Sequence, residues 1–198
     1  MRLCAGRVGQ LLNLQGLGND VGISHTTVRS WLTLLKASFV VFLLQPWHNN
    51  LSKRQIKSPK LYFYDVGLAS YLLGAENELH INRHPLRGNL IENLVIIDAL
   101  KYRYHRGKRS NLYFWRDPKG NEVDLIIEQG PNIIPVAIKA GATISNDYFR
   151  GLRTLMSRLP SPPKHAALIY GGAERQRRSD VMVWRISDVA EMMDLIAA

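Results

Sequence analysis

The stretch EVDLIIEQGPNIIPVAIKAG, residues 122–141, constrains the fold more than any other. Two runs rich in Ile and Val flank Gly130-Pro131, a composition that reads as two strands around a turn. The first run carries Asp124 and the second carries Lys139. Lys139 follows Ala137 by two positions, and side chains alternate along a strand, so both point to one face. Asp124 and Lys139 on adjacent strands have the residue types of a phosphate-cleaving site. Ala137, beside the lysine, holds no metal.

The rest of the second half supplies a sheet with its cover. NLIENLVIIDALKYRY has a helical pattern, with Leu90, Leu94, Ile97 and the stem of Lys101 on one side. LYFWRD, EVDLIIE and IIPVAIKA read as strands, NDYFRGLRTLMSRL as an amphipathic helix capped by Asn146 or Asp147, and HAALIYGG and VMVWRI as strands. SDVAEMMDLIAA closes as a capped helix, and ERQRR, 174–178, reads as a solvated basic loop. The expected fold class is α/β (α+β overall), with helices on both faces of a sheet over residues 88–198.

The first half reads differently. Residues 6–44 have the rhythm of three short helices followed by a strand, with Leu11, Leu12 and Leu14 in the first apolar patch. Ser24 is a good N-cap for SHTTVRSWLTLLKA, whose inward stripe is expected to be Val28, Trp31, Leu32 and Leu35. FVVFLLQPW and KLYFYD read as strands around the basic loop HNNLSKRQIKSP, and Gly74 stops the following short helix. Helices with a Gly turn, then a strand pair with a basic tip, describe a winged helix over residues 1–75. The polar stretch 76–87 is the expected linker.

Bulk properties narrow the classes. The 198 residues suffice for one large domain or two small ones. A single cysteine, Cys4, excludes an internal disulfide and suits a reducing compartment. The first residues lack a continuous apolar run, and Trp31–Leu44 is short for a membrane span and contains Lys36, so a soluble cytoplasmic protein with no membrane contact is expected. The formal charge of +10 favours a polyanionic partner. Residues 1–75 hold eight Lys/Arg against two Asp/Glu, so the N-terminal part is nearly free of acids. The histidines lack metal-ligand spacing, and neither Ser24 nor Cys4 has the partners of a nucleophile.

Glu92, Asp124 and Lys139 are the candidate catalytic set. A helix acid, a strand acid and a neighbouring lysine would converge at a sheet edge, with Asp124 and Glu92 as ligands of Mg²⁺ and the lysine orienting water or offsetting developing charge. Spacing alone favours a solvated strand end over a site.

Several separated motifs carry a resemblance. LLNLQGLGNDVGISHTTVRSWLTLL, PWHNNLSKRQIKSPKLYFYDVGLASYLLG, GNLIENLVI, YFWRDPKGNEVDLIIE and PVAIKAG resemble, in order, the C-terminal half of bacterial and archaeal ATPases that carry the DUF4143 domain. Residues 88–141 resemble the restriction-endonuclease-like, PD-(D/E)xK, superfamily. The resemblance implies a winged helix followed by a nuclease-like domain, with Glu92 as helix acid, Asp124 as strand acid and Lys139 as the lysine. It also implies a Glu at the position of Ala137, so one metal ligand is missing and Mg²⁺ binding should be weak. Glu122, on the same side as Asp124, is a candidate replacement. Asp98 stands where many relatives have Glu. The family's ATPase part is expected to carry GxxxxGK(S/T), which this chain lacks, so no ATP hydrolysis is expected from it alone.

The basic residues form three candidate nucleic-acid surfaces. His25, Thr26, Thr27 and Arg29 would meet a major groove, and Lys53, Arg54 and Lys57 would meet phosphates. Alternatively the helices pack on a nucleotide-binding domain. Lys101, Arg103, Arg106, Lys108 and Arg109, with Tyr102, Tyr104 and Tyr113 among them, would bind phosphates and stack bases, or form a solvated helix end. The leading expectation is a non-catalytic nucleic-acid-binding or regulatory module. The alternatives are a Mg²⁺-dependent nuclease with a rearranged site and a docking domain for an ATPase partner or a second copy.

Overall fold

The computed structural model describes residues 1–48, 57–178 and 180–197. Lys53 and Arg54 lie outside them. The chain is a mixed α/β structure that divides into two compact units, Met1–Leu44 with Ser58–Asn93, and Gln45–Lys57 with Leu94–Ala198.

In the first unit, α1 (Arg2–Ala5), α2 (Leu14–Val21) and α3 (His25–Ala37) precede β1 (Val41–Pro46) and β2 (Lys60–Phe63). Asn13 caps α2 by accepting from the Gly16 N–H, and Gly22 ends it at φ 75°, where a side chain would be strained. Ser24 caps α3 through the Thr27 N–H at 3.1 Å, as its sequence predicts. At the other end of α3 the Val40 N–H reaches the Leu35 carbonyl at 2.9 Å, leaving Phe39 at φ 54° in the position usually given to glycine.

β1 and β2 pair antiparallel, from Val41 opposite Phe63 to Leu44 opposite Lys60. The expected first helix does not extend to Leu11 and Leu12. Residues 9–12 instead run beside β2: the Gly9 N–H donates to the Leu61 carbonyl at 2.8 Å, and Leu11 bridges Lys60 antiparallel. The inward stripe of α3 is also narrower than expected. Val28 and Leu32 are buried and Leu35 is half-buried, but Trp31 is 52% exposed.

α4 (Val66–Leu72) and α5 (Glu78–Arg83) follow, so the expected linker carries a short helix. The first turns of α6 (Arg87–His105) belong to this unit. Fully buried Asn93 donates to the Phe63 carbonyl and accepts the Phe63 N–H, both at 2.8 Å, which fastens α6 to β2.

The second unit is built on β3 (Leu112–Arg116), β4 (Glu122–Gln129), β5 (Asn132–Lys139), β6 (Ala166–Tyr170), β7 (Gln176–Arg178) and β8 (Val181–Arg185). Their order is β3-β4-β5-β6-β8-β7, and Gln45 and Pro46 pair in parallel with β3. β3, β4 and β5 form an antiparallel meander, after which β5, β6 and β8 run parallel. The basic loop expected at 174–178 contains β7, an edge strand whose arginines discourage further pairing.

α7 (Arg150–Met156) follows a 3₁₀ turn, Asn146–Phe149, capped by Ser145 rather than by Asn146 or Asp147. Phe149, Leu152 and Leu155 join Trp115, Val123, Ile126, Ala137 and Leu168 in one core cluster. By alternation Ile134, Val136 and Ile138 are buried on the opposite face of the sheet. α6 is buried nearly all round from Val95 to Leu100, more than its one-sided sequence pattern suggests. α8 (Val189–Ala197) closes the unit after a 3₁₀ turn at residues 186–188. Asp188 in that turn is buried and accepts from Arg175 Nε at 2.7 Å and Arg185 Nε at 2.8 Å. The two guanidiniums, Arg175 first, hold its carboxyl far below the ordinary carboxylate range.

Candidate functional site

Asp124 and Lys139 are brought together by the β4–β5 hairpin. Gly130, at φ 58°, makes the turn, and the register runs from Gln129 opposite Asn132 to Leu125 opposite Val136. Beyond Leu125 the Asp124 side chain takes over. Its Oδ2 accepts the Ile138 backbone N–H at 2.7 Å and Lys139 Nζ at 3.1 Å. Asp124 is 6% exposed, so this carboxylate is a buried pin between two strands.

Ala137 is 4% exposed and sits among Trp115, Val123 and Leu168. The side of β5 from which a carboxylate would enter the site is therefore filled by apolar packing. Glu122 has a carboxylate oxygen within 4.8 Å of one of Asp124. It faces Arg116 on β3, whose guanidinium lies 3.2 Å from it. α7 passes close by. A Cβ on Gly151 would overlap the Glu122 carbonyl oxygen, so only glycine allows the helix to lie there.

Glu92 belongs to the first unit, in the second turn of α6. Its Oε1 accepts Lys60 Nζ at 2.7 Å and the Tyr62 hydroxyl. Lys60 is only 2% exposed. Lys60, Tyr62 and Arg116 are the site residues that sequence reasoning missed. A usable signal existed for one of them: Lys60 opens an otherwise apolar strand, and a buried lysine requires an acid. Asp98, farther along α6, lies 3.9 Å from Lys101, and partial burial raises its carboxyl above the ordinary range.

The donor set is a poor fit for tightly held Mg²⁺. That ion is bound through carboxylates in near-octahedral geometry and gives up its waters reluctantly. In the second unit Asp124 and Glu122 are matched by Lys139 and Arg116, so the four groups carry no net negative charge to attract a dication. β5 contributes only the methyl group of Ala137, within an apolar cluster.

The basic residues are distributed as follows. His25 and Arg29 are exposed and line an open cleft of about 530 Å³ with Leu11, Asn13 and Ser58. The hydroxyls of Thr26 and Thr27 lie 2.6 and 2.9 Å from Ser24 Oγ, so they belong to the cap of α3. Lys57 is exposed. At the end of α6, Lys101, Lys108 and Arg109 are exposed, whereas Arg106 pairs with Asp194 at 2.9 Å and lies 3.6 Å over the Tyr102 ring. Arg103 donates from Nε to the Arg109 carbonyl at 3.1 Å. Tyr102 is buried, with its hydroxyl on Asp194 at 2.6 Å, and offers no stacking face. Tyr113 is half-buried, and Tyr104 is 49% exposed. No described helix is long and apolar enough to cross a membrane.

The model for DUF8612, a domain of unknown function, matches residues 1–79. Two relatives, Uncharacterized protein Rv2008c of Mycobacterium tuberculosis and Uncharacterized protein Mb2031c of Mycobacterium bovis, are each 33% identical over 177 residues. The alignment takes in 88% of this chain but 38% of each relative, so the chain spans less than two fifths of their length. The model for DUF4143, also a domain of unknown function, matches residues 87–189, across the β4–β5 hairpin with Asp124 and Lys139, and the chain belongs to this family.

Proposed function

We propose that this chain is a nucleic-acid-binding or regulatory module whose nuclease-like site no longer cuts. One observation carries the reading: each acid of the candidate site is already matched by a protein cation, Asp124 by Lys139, Glu122 by Arg116 and Glu92 by Lys60. Such acids serve as structural ion pairs, and a phosphodiesterase site instead needs acids that attract a metal. Ala137 removes the remaining carboxylate.

The winged-helix reading of the first unit draws support from its topology. A segment at Leu11 pairs with β2, two helices follow it, and β1 and β2 make a hairpin. Binding would be mainly to phosphates, by Arg29 and Lys57 and by the cations at the end of α6. Each phosphate neutralised steepens the log–log salt dependence by about 0.9. A titration of duplex DNA at low and at physiological salt tests this. Binding that weakens with that slope is the expected result; no binding at low salt would refute it.

Two specific observations keep other readings in view. The closeness of Glu122 and Asp124 favours a rearranged Mg²⁺ nuclease, which predicts plasmid cleavage lost in Asp124→Ala. The exposure of Trp31 and Leu34, one turn apart on α3, favours docking on a protein partner such as the ATPase part that the resemblance implies. Loss of that docking in Trp31→Ser, with DNA binding retained, would separate the two roles of α3.

A further inference from the structure

We infer that the outer face of the end of α6 is a stacking site for an unpaired base of single-stranded nucleic acid, with Tyr104 as its platform. This inference rests on the nucleic-acid reading and adds the class of ligand and the residue that recognises it.

Tyr102 and Tyr104 are two residues apart but have opposite fates. Tyr102 is 7% exposed, bonded to Asp194 and covered by Arg106. Tyr104 is 49% exposed. A rotation of about 100° per residue places Lys101, Tyr104 and His105 within one arc of roughly 100° on the helix. All three are exposed, so an aromatic ring stands at the edge of an arc that also presents two groups able to meet phosphates.

The following loop is held against the helix. The Gly107 N–H reaches the Tyr104 carbonyl at 2.9 Å, the Lys108 N–H reaches the Arg103 carbonyl at 3.0 Å, and Arg103 Nε bonds the Arg109 carbonyl. The backbone at Lys108 and Arg109 is thereby tied to the turn that carries Tyr104, and both side chains are exposed. The nearby acids are largely engaged: Asp194 takes Tyr102 and Arg106, and Asp98 lies 3.9 Å from Lys101.

An aromatic face flanked by cations is the chemistry of single-strand binding, in which a base stacks while its phosphates meet lysines. A duplex leaves Tyr104 nothing to stack on, because its bases already cover one another. The surface should therefore favour unpaired strands, with little sequence preference.

The test is fluorescence anisotropy with a labelled oligothymidine and a duplex of equal length, using the full chain and its Tyr104→Ala, Tyr104→Trp and Lys108→Ala variants. Thermal melts first establish that each variant folds; Tyr104 is half-exposed, so its replacements should. Tighter binding of oligothymidine is expected. Tyr104→Ala should weaken it about tenfold, with duplex binding nearly unchanged, and Tyr104→Trp should keep it. Lys108→Ala should weaken binding of both ligands and lower the salt slope by about 0.9 for the duplex and about 0.7 for oligothymidine. Equal binding of both ligands, unaffected by Tyr104→Ala, would overturn the inference and leave the nucleic-acid reading standing. Failure to bind either ligand would overturn both.

Discussion

Asp124 and Lys139 meet across the β4–β5 pair, with Nζ 3.1 Å from Oδ2, and the same oxygen receives the Ile138 N–H. The acid thus completes the end of a strand ladder. Asp124→Ala should strand a buried N–H and leave Lys139 unpaired. A loss of about 2–3 kcal/mol in urea unfolding is expected. A change below about 0.5 kcal/mol would show that the pin carries no load, as an acid reserved for chemistry would not.

Lys60 and Glu92 form a pair whose side chains are 3% and 13% exposed. Lys60→Met leaves a largely buried carboxylate without its cation, and should cost about 3 kcal/mol. The double variant Lys60→Met, Glu92→Leu should recover most of that loss. A double-mutant cycle measures the coupling; additive losses would contradict a mutual pairing.

Gly151 faces the Glu122 carbonyl oxygen with no room for a methyl group. Gly151→Ala must push α7 off the sheet, although alanine favours helix. A loss of about 2–4 kcal/mol is expected, against a gain of about 1 kcal/mol if helix propensity decided the outcome. The sign of the shift in Tm distinguishes them.

Much of the second unit was legible in the sequence because its strands and helices announce themselves by apolar period. Asp124 and Lys139 were legible for the same reason, as charges interrupting those runs. Trp31 was misread because period alone cannot tell an inward ring from an apolar group on the helix's other side; Val28 and Leu32 fill the inward positions. The strand segment at Leu11 was missed because it is a single bridge, held by a partner 49 residues away in sequence. Glu92 was found, but the lysine opposite it lies on another element, and no local pattern joins the two.

Asp188 sits between Arg175 and Arg185, which hold its carboxyl far below the ordinary range. A depressed folded-state value stabilises the fold above the unfolded carboxyl's value, near 3.9, and the benefit declines as pH falls below that. Asp188→Asn should therefore cost about 1–3 kcal/mol at pH near 7, and the gap to wild type should narrow in acid. Melts across that pH range check it; a gap that widens in acid would contradict the assignment.

Phe39 holds a left-handed backbone at φ 54° with its ring 71% exposed and edge-on to Tyr64. Phe39→Asn relieves strain of about 1 kcal/mol and gives up little packing. Its Tm should equal or exceed that of wild type. A drop of several degrees would show that the ring is a structural contact.

We propose that the pocket of Asp124 and Glu122 does not grip divalent metal. The most direct test is thermal stability with and without Mg²⁺, for wild type and Ala137→Glu. Wild type should show no shift with millimolar Mg²⁺. Ala137→Glu, destabilised by a carboxylate in an apolar cluster, should regain stability as the metal is added, because a ligand bound only to the folded state raises Tm. A saturable Mg²⁺-dependent rise in wild type, abolished by Asp124→Ala, would contradict the claim.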